Sequence, residues 1–263
     1  MQFVRYLATV IDGVETVNWT RRGGQFQEST LEEAFNAYEW PRNVCFHESQ
    51  KLLNAAADKA RFGLENADDS ELEAGLLDIL KWGGGPVLRA NRPFLTGLRK
   101  DKLLVAHINS ALKIVSKLEF DEQRFTAGGY RSNAGYTKIY AMLAPNFVMY
   151  DSRVAGALGS LVAAHSLELG LAEVPETLAF PRMPSKSPKR KRVPVFRGRR
   201  FPITTGALHH MRWNRRANEV IRAAIDLSGA RWAAGKNGMR QVEAALFMVG
   251  YDLPFPHQAS PLG

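Results

Sequence analysis

The passage GYRSNAGYTKIYAMLAPNFVMYDSRVAGALGSLV, residues 129 to 162, places one lysine and one aspartate in settings that neither packing nor solubility requires. Lys138 follows the turn-forming Ser132, Asn133, Ala134 and Gly135, and opens an apolar segment of Ile139, Tyr140, Met142 and Leu143. Asp151 closes a second apolar run, Phe147, Val148, Met149 and Tyr150, and immediately precedes a helical pattern whose start it can cap. There its carboxylate accepts backbone N–H groups and feels the positive end of the helix dipole, so it is expected to stay ionised at neutral pH. The two residues offer a primary amine and a fixed acid, 13 positions apart, to one reacting centre.

The elements that must carry them are predicted to be helical. Leu104, Ile108, Ala111, Leu112, Val115 and Leu118 recur at spacings of three and four, as one face of an amphipathic helix does. Ser70 to Trp82 repeats the pattern through Leu72, Leu76, Leu77 and Leu80, with Ser70 as the expected N-cap and Gly83, Gly84, Gly85 and Pro86 as the stop. Glu48 to Arg61, Val154 to Leu169, Asn214 to Asp226 and Met239 to Val249 are further predicted helices. Met1 to Ile11 is ambiguous, and Asn146 to Tyr150 is too short to classify by period. The expected fold class is all-α, one compact multi-helix domain over residues 1–263, and no repeat period points to a solenoid.

At this point the sequence resembles the helix-hairpin-helix DNA glycosylases, and within them the 8-oxoguanine DNA glycosylase branch. In that family a glycine-rich hairpin leads into a helix bearing a catalytic lysine. An apolar run then closes on a catalytic aspartate that caps the next helix. The matching pieces here are Asn133, Ala134 and Gly135 for the hairpin, Thr137 and Lys138 for the helix opening, and VMYDSRVAGAL for the aspartate and its helix. The similarity is clearest over residues 76 to 162. Asn133 departs from the family by standing where it has the first hairpin glycine, a replacement tolerated because asparagine enters left-handed backbone conformations more readily than most residues. Tyr136 is an extra residue before the Thr137, Lys138 pair, and the short spacing to Asp151 requires a helix ended by Pro145.

The resemblance implies a base-flipping enzyme with the corresponding helical fold. A modified base is extruded from duplex DNA into a pocket. The Lys138 amine, desolvated and neutral, attacks the deoxyribose C1′ and displaces the base. Asp151 stabilises positive charge growing on the sugar and helps move the amine proton. The Schiff base that forms permits strand cleavage as a lyase step; with the amine protonated, Asp151 directs water instead and an abasic site remains. The Gly135 turn, with Asn133 and Thr137, is expected to hold a DNA phosphate through backbone N–H groups, and Arg153 to make a phosphate or pocket contact. Trp82, Tyr136 and Tyr140 are candidates for stacking on the extruded base, with core packing the commoner use of residues such as Trp82 and Tyr140, and Asn91 or Arg92 are candidates for filling the gap in the duplex. The setting would be DNA repair or defence against modified foreign DNA.

Charge points to the same partner. The 263 residues carry 35 Lys plus Arg against 26 Asp plus Glu, a formal charge of +9. No acid occurs from Thr177 to Asn218, which holds twelve bases: Arg182, Lys186, Lys189, Arg190, Lys191, Arg192, Arg197, Arg199, Arg200, Arg212, Arg215 and Arg216. The remainder has 23 bases against 26 acids, so this segment accounts for the whole excess. Six of the 13 prolines lie in or beside its first part, which excludes a regular helix and predicts an irregular basic arm over residues 177–205. Lys189, Arg190, Lys191 and Arg192 are its expected DNA-phosphate contacts, giving salt-sensitive affinity. A solubilising or localisation-like loop is the competing reading.

Other classes fall away. An apolar fraction of 45% excludes a disordered chain, and nothing reaches the roughly 18 consecutive apolar residues of a membrane helix. One cysteine, Cys45, excludes an internal disulfide and favours a reducing, cytoplasmic setting; beside Phe46 it is expected to be a small buried residue. His47, His107, His165, His209 and His210 lack metal-ligand spacing, so no metal and no cofactor is expected. The Gly83 to Gly85 run lacks the ending of a nucleotide loop. The competing function is a non-catalytic DNA-binding protein of the same fold, in which Lys138 is an exposed first-turn residue and Asp151 an ordinary cap.

Overall fold

The computed structural model describes residues 1–20, 24–41, 43–184 and 192–253. It is mostly helical, 61% by residue, and its strands are confined among the described residues to two short hairpins. The chain is therefore all-α. Among the described residues no helix is long and apolar enough to cross a membrane. The chain divides into two compact units. The first comprises Met1–Tyr38, Tyr150–Thr205 and Arg216–Gly263; the second comprises Glu39–Met149 and Gly206–Arg215.

The second unit is built from α3 (Phe46–Glu65), α4 (Asp69–Trp82), α5 (Gly85–Lys100), α6 (Leu104–Val115), α7 (Glu122–Ala127), α8 (Tyr136–Leu143) and the start of α10 (Ala207–Leu227). Small residues on α3, Ala57 and Ala60, face a leucine-rich stripe on α4, Leu72, Leu76, Ile79 and Leu80, and all are fully buried. Each buried leucine-sized side chain contributes about 1.5–3 kcal/mol, so this seam is the main source of the unit's stability. Ile108 of α6, Leu95 of α5 and Ile139 of α8 complete the core.

The first unit is organised on two helices buried on most sides. These are α9 (Ser152–Glu168), with Val154, Leu158 and Val162, and α11 (Gly238–Val249), with Val242, Leu246 and Val249. Helix α1 (Gln2–Ile11) packs on α9, while α2 (Leu31–Asn36) and the hairpin β1–β2 (Val17–Trp19, Gln27–Ser29) pack on α11. A second hairpin, β3–β4 (Val195–Phe196, Arg199–Arg200), lies in the arm's sequence.

Several local expectations change. The N-cap of α4 is Asp68 rather than Ser70; its carboxylate accepts the N–H groups of Ser70 at 2.8 Å and Glu71 at 3.0 Å, and an ionised oxygen accepts more strongly than a hydroxyl. The glycine run ends α4 but does not end helical structure, because Gly84 turns the chain at φ +105° and α5 begins at once with Pro86 in its first turn. Cys45 is exposed, not buried, since it caps α3 from the surface. The ambiguous N-terminal run is helical, burying Phe3, Leu7, Val10 and Ile11.

Candidate functional site

Lys138 belongs to the second unit and Asp151 to the first. In the second unit the turn before α8 is shaped by side chains. Asn133 Oδ1 accepts the N–H of Gly135 at 2.8 Å and of Tyr136 at 3.1 Å, capping the helix start. Its amide nitrogen donates to Asn91 Oδ1 at 3.0 Å, and Asn91 Nδ2 donates to the Val87 carbonyl at 2.8 Å. One residue earlier, the Ser132 hydroxyl and His210 Nδ1 stand 2.7 Å apart, both groups buried. The turn is thus fixed from α5 and α10.

Asn133 is not among the residues with left-handed backbone, contrary to expectation; its value to the turn is its side-chain oxygen. The same oxygen takes the Gly135 and Tyr136 amides that were expected to hold a DNA phosphate, so the turn is not an open anion site as it stands. Gly135 itself is required by close approach, since a Cβ there would meet Asn91 Nδ2 at 2.3 Å.

Lys138 is 3% exposed, which removes the solvated first-turn reading. Its Nζ donates to the Ala134 carbonyl at 2.9 Å, folding the side chain back over the turn. Thr137 is fully buried and presents nothing to a partner as placed. The three proposed stacking rings are core residues: Trp82 at 8%, Tyr136 at 0% and Tyr140 at 0% exposure. Trp82 donates from its indole to Ser49 Oγ at 2.9 Å, and Tyr140 donates its hydroxyl to the Arg131 carbonyl at 2.8 Å. Burial holds both tyrosine hydroxyls in the neutral form, well above their usual range, and leaves no ring face open to a base. Asn91, 1% exposed, is a structural partner of Asn133 rather than a residue ready to enter a duplex; Arg92 remains exposed.

Beside these rings, the Arg131 guanidinium lies 4.0 Å over the Phe94 ring, and His107 packs between Phe94 and Tyr130. Burial, and then the charge of Arg131, lowers the His107 pKa.

In the first unit Asp151 caps α9 as expected. Its Oδ1 accepts the N–H of Arg153 at 2.9 Å and of Val154 at 3.3 Å, which orients the carboxylate at the helix's positive end. Arg153 is 7% exposed, with its guanidinium 3.9 Å over the Phe247 ring and 4.4 Å over that of Tyr251. The expected reach to a DNA phosphate is therefore replaced by an aromatic sandwich. Burial first, and the nearby Arg192 charge second, lower the Arg153 pKa to about 10, against the opposing pull of Asp151; it remains cationic at neutral pH. Arg192 donates through Nε to the Tyr251 carbonyl at 2.9 Å and through a terminal nitrogen to Ser152 Oγ at 3.0 Å. The last residue of the basic run is thus fastened one position from Asp151. Lys189, Arg190 and Lys191 lie outside the described residues.

Much of the remaining acid-free stretch is tied down. Arg197 donates to the Leu171 carbonyl at 3.0 Å and Arg199 pairs with Glu173 at 2.6 Å. On α10, Arg212 forks onto both oxygens of Glu122, Arg215 donates to the Val115 and Leu118 carbonyls, and Arg216 donates to the Thr177 carbonyl. Among the described residues no group of three His, Cys, Asp or Glu is placed to hold a metal ion.

Sequence reasoning missed Phe247 and Tyr251, which hold Arg153, and the Ser132–His210 link. None had a local signal, since each works through a contact remote in sequence. No family model matches the chain, and comparison with curated proteins and with solved structures finds no match.

Proposed function

We propose that the chain is a DNA glycosylase of the helix-hairpin-helix type, acting on a damaged or modified base. The observation that carries this reading is the 3% exposure of Lys138 in the first turn of α8. Lysine is mostly an exposed residue, and its burial here places a nucleophilic nitrogen inside the unit, beside the turn that opens α8. In this reading the Lys138 amine attacks the sugar C1′ as the C1′–N bond breaks, and the proton that the amine sheds leaves with the base. Asp151, held by two backbone amides, is the carboxylate this reading assigns to stabilising the cationic sugar. The basic run ending in Arg192 supplies phosphate contacts.

A second reading, a non-catalytic DNA-binding protein of the same fold, is favoured by one observation: Trp82, Tyr136 and Tyr140 are buried in the core rather than open to a base. Duplex oligonucleotides carrying a panel of modified bases, treated with alkali after incubation, separate the two. Abasic product from at least one substrate, and a borohydride-trapped adduct that is lost in Lys138→Ala, support the enzyme. Binding without excision across the panel supports the second reading.

A further inference from the structure

Gly83 closes α4 at φ −64° and ψ −12°, a conformation open to every L residue, so the backbone gives no reason for glycine there. The reason lies across the unit. A Cβ on Gly83 would stand 2.9 Å from Cδ and 3.1 Å from Cε of Lys138, closer than two carbons pack. The lysine's methylenes rest on the bare Cα, while its head reaches the Ala134 carbonyl at 2.9 Å. Ala134 sits in the turn that Asn133 shapes and Asn91 grips from α5.

We infer that Gly83 and Asn91 are positioning residues for Lys138: Gly83 seats its stem, and Asn91, acting through Asn133, fixes the turn carrying the carbonyl that holds its amine. The inference rests on the reading of Lys138 as the attacking amine. It also accounts for the glycine run, which does not suit a nucleotide loop. Gly84 permits the α4–α5 turn, and Gly83 clears the lysine's path.

Gly83→Ala tests it: the added methyl meets the flexible Lys138 stem at 2.9 and 3.1 Å and the Leu80 carbonyl oxygen at 3.2 Å, and the lysine stem, being the nearer and the more mobile, is what moves. Gly97→Ala, where a Cβ meets nothing within 4 Å, is the matched control. The first readout needs no DNA: the Cε–Nζ correlation of Lys138 in protein carrying labelled lysine, assigned by its absence in Lys138→Met. It is expected to shift in Gly83→Ala and to stay in place in Gly97→Ala; an unmoved signal in Gly83→Ala overturns the inference. The second readout is borohydride trapping on a substrate of the base panel. The rate is expected to fall at least tenfold in Gly83→Ala with DNA affinity within twofold of wild type; an unchanged rate and pH profile overturns the inference. Asn91→Leu, which removes the acceptor for Asn133, is expected to act in the same direction, and it carries the test if Gly83→Ala does not fold; an unmoved Lys138 signal in Asn91→Leu overturns the role given to Asn91. Wild-type protein that releases no base from the panel overturns the glycosylase reading, and release without trapping removes Lys138 as the attacking amine; in either case the Lys138 signal still decides whether the seat exists.

Discussion

Lys138 Nζ donates to the carbonyl of Ala134, four residues earlier, at 2.9 Å, so the amine turns back toward the hairpin instead of extending to solvent. A lysine kept for structure and a lysine kept for chemistry respond differently to removal. Lys138→Met keeps the unbranched stem and discards the amine, and apolar groups of similar volume are commonly neutral or stabilising at buried polar sites. We expect unfolding in urea to change by less than about 1 kcal/mol, with the covalent adduct abolished. A destabilisation well above that, on the order of 3 kcal/mol as for breaking a buried pair, would mark a structural lysine.

Asn133 supports the same helix start by accepting two amides at 2.8 and 3.1 Å. Asn133→Ala removes the cap and is expected to lower stability by about 1 kcal/mol, with Asn133→Asp intermediate because it keeps the cap oxygen but loses the donor to Asn91. Equilibrium urea denaturation of the three proteins checks the ordering.

His107 makes the second unit acid-sensitive. Burial and Arg131 lower its pKa in the folded protein, while the unfolded chain titrates near the ordinary 6.5. Below that pH the unfolded state binds more protons, so stability present at neutral pH is lost as pH falls from 6.5 toward the folded value. Urea midpoints measured at pH 7.5 and at pH 5 should fall further in wild type than in His107→Gln, which cannot protonate. Equal falls would remove His107 from the account.

The basic run from Lys189 to Arg192 is a sequence feature with one structurally placed member. Replacing all four by Ala should reduce the slope of log affinity against log salt by about 0.9 for each DNA phosphate no longer neutralised, and leave base preference unchanged. Affinity measured across a salt series on one duplex reads the slope. Arg215, whose guanidinium fills the Val115 and Leu118 carbonyls, should contribute far less when replaced.

Legibility followed periodicity and end signals. The helices around Leu76 and Ile108 announce themselves by an apolar stripe at helical spacing, and those around Leu158 and Leu246 by apolar residues on most sides. Helix α5 was hidden: a glycine run ordinarily ends a helix, and only Asn91 and Leu95 of α5 are fully buried, too few to make a period. Asp151 as a cap was readable from its place before an apolar helical run, and the structure gives it that role. Aromatic residues were not readable, because Trp82, Tyr136 and Tyr140 have the same side chains whether they stack on a base or fill a core. Their fate depends on neighbours such as Ser49 and Arg131, which the sequence pattern does not pair with them. Arg153 misled for a related reason, since its charge suggested phosphate while Phe247 and Tyr251 supply it with aromatic faces.

The central claim is tested most directly by single-turnover base release from the modified-base panel, comparing wild type with Asp151→Asn. The substitution keeps the shape and a helix-capping oxygen but removes the charge that is to stabilise the sugar cation. The account predicts release by wild type and a fall on the order of 10²- to 10³-fold in the variant, with DNA affinity retained. Equal rates of release by the two proteins would contradict it.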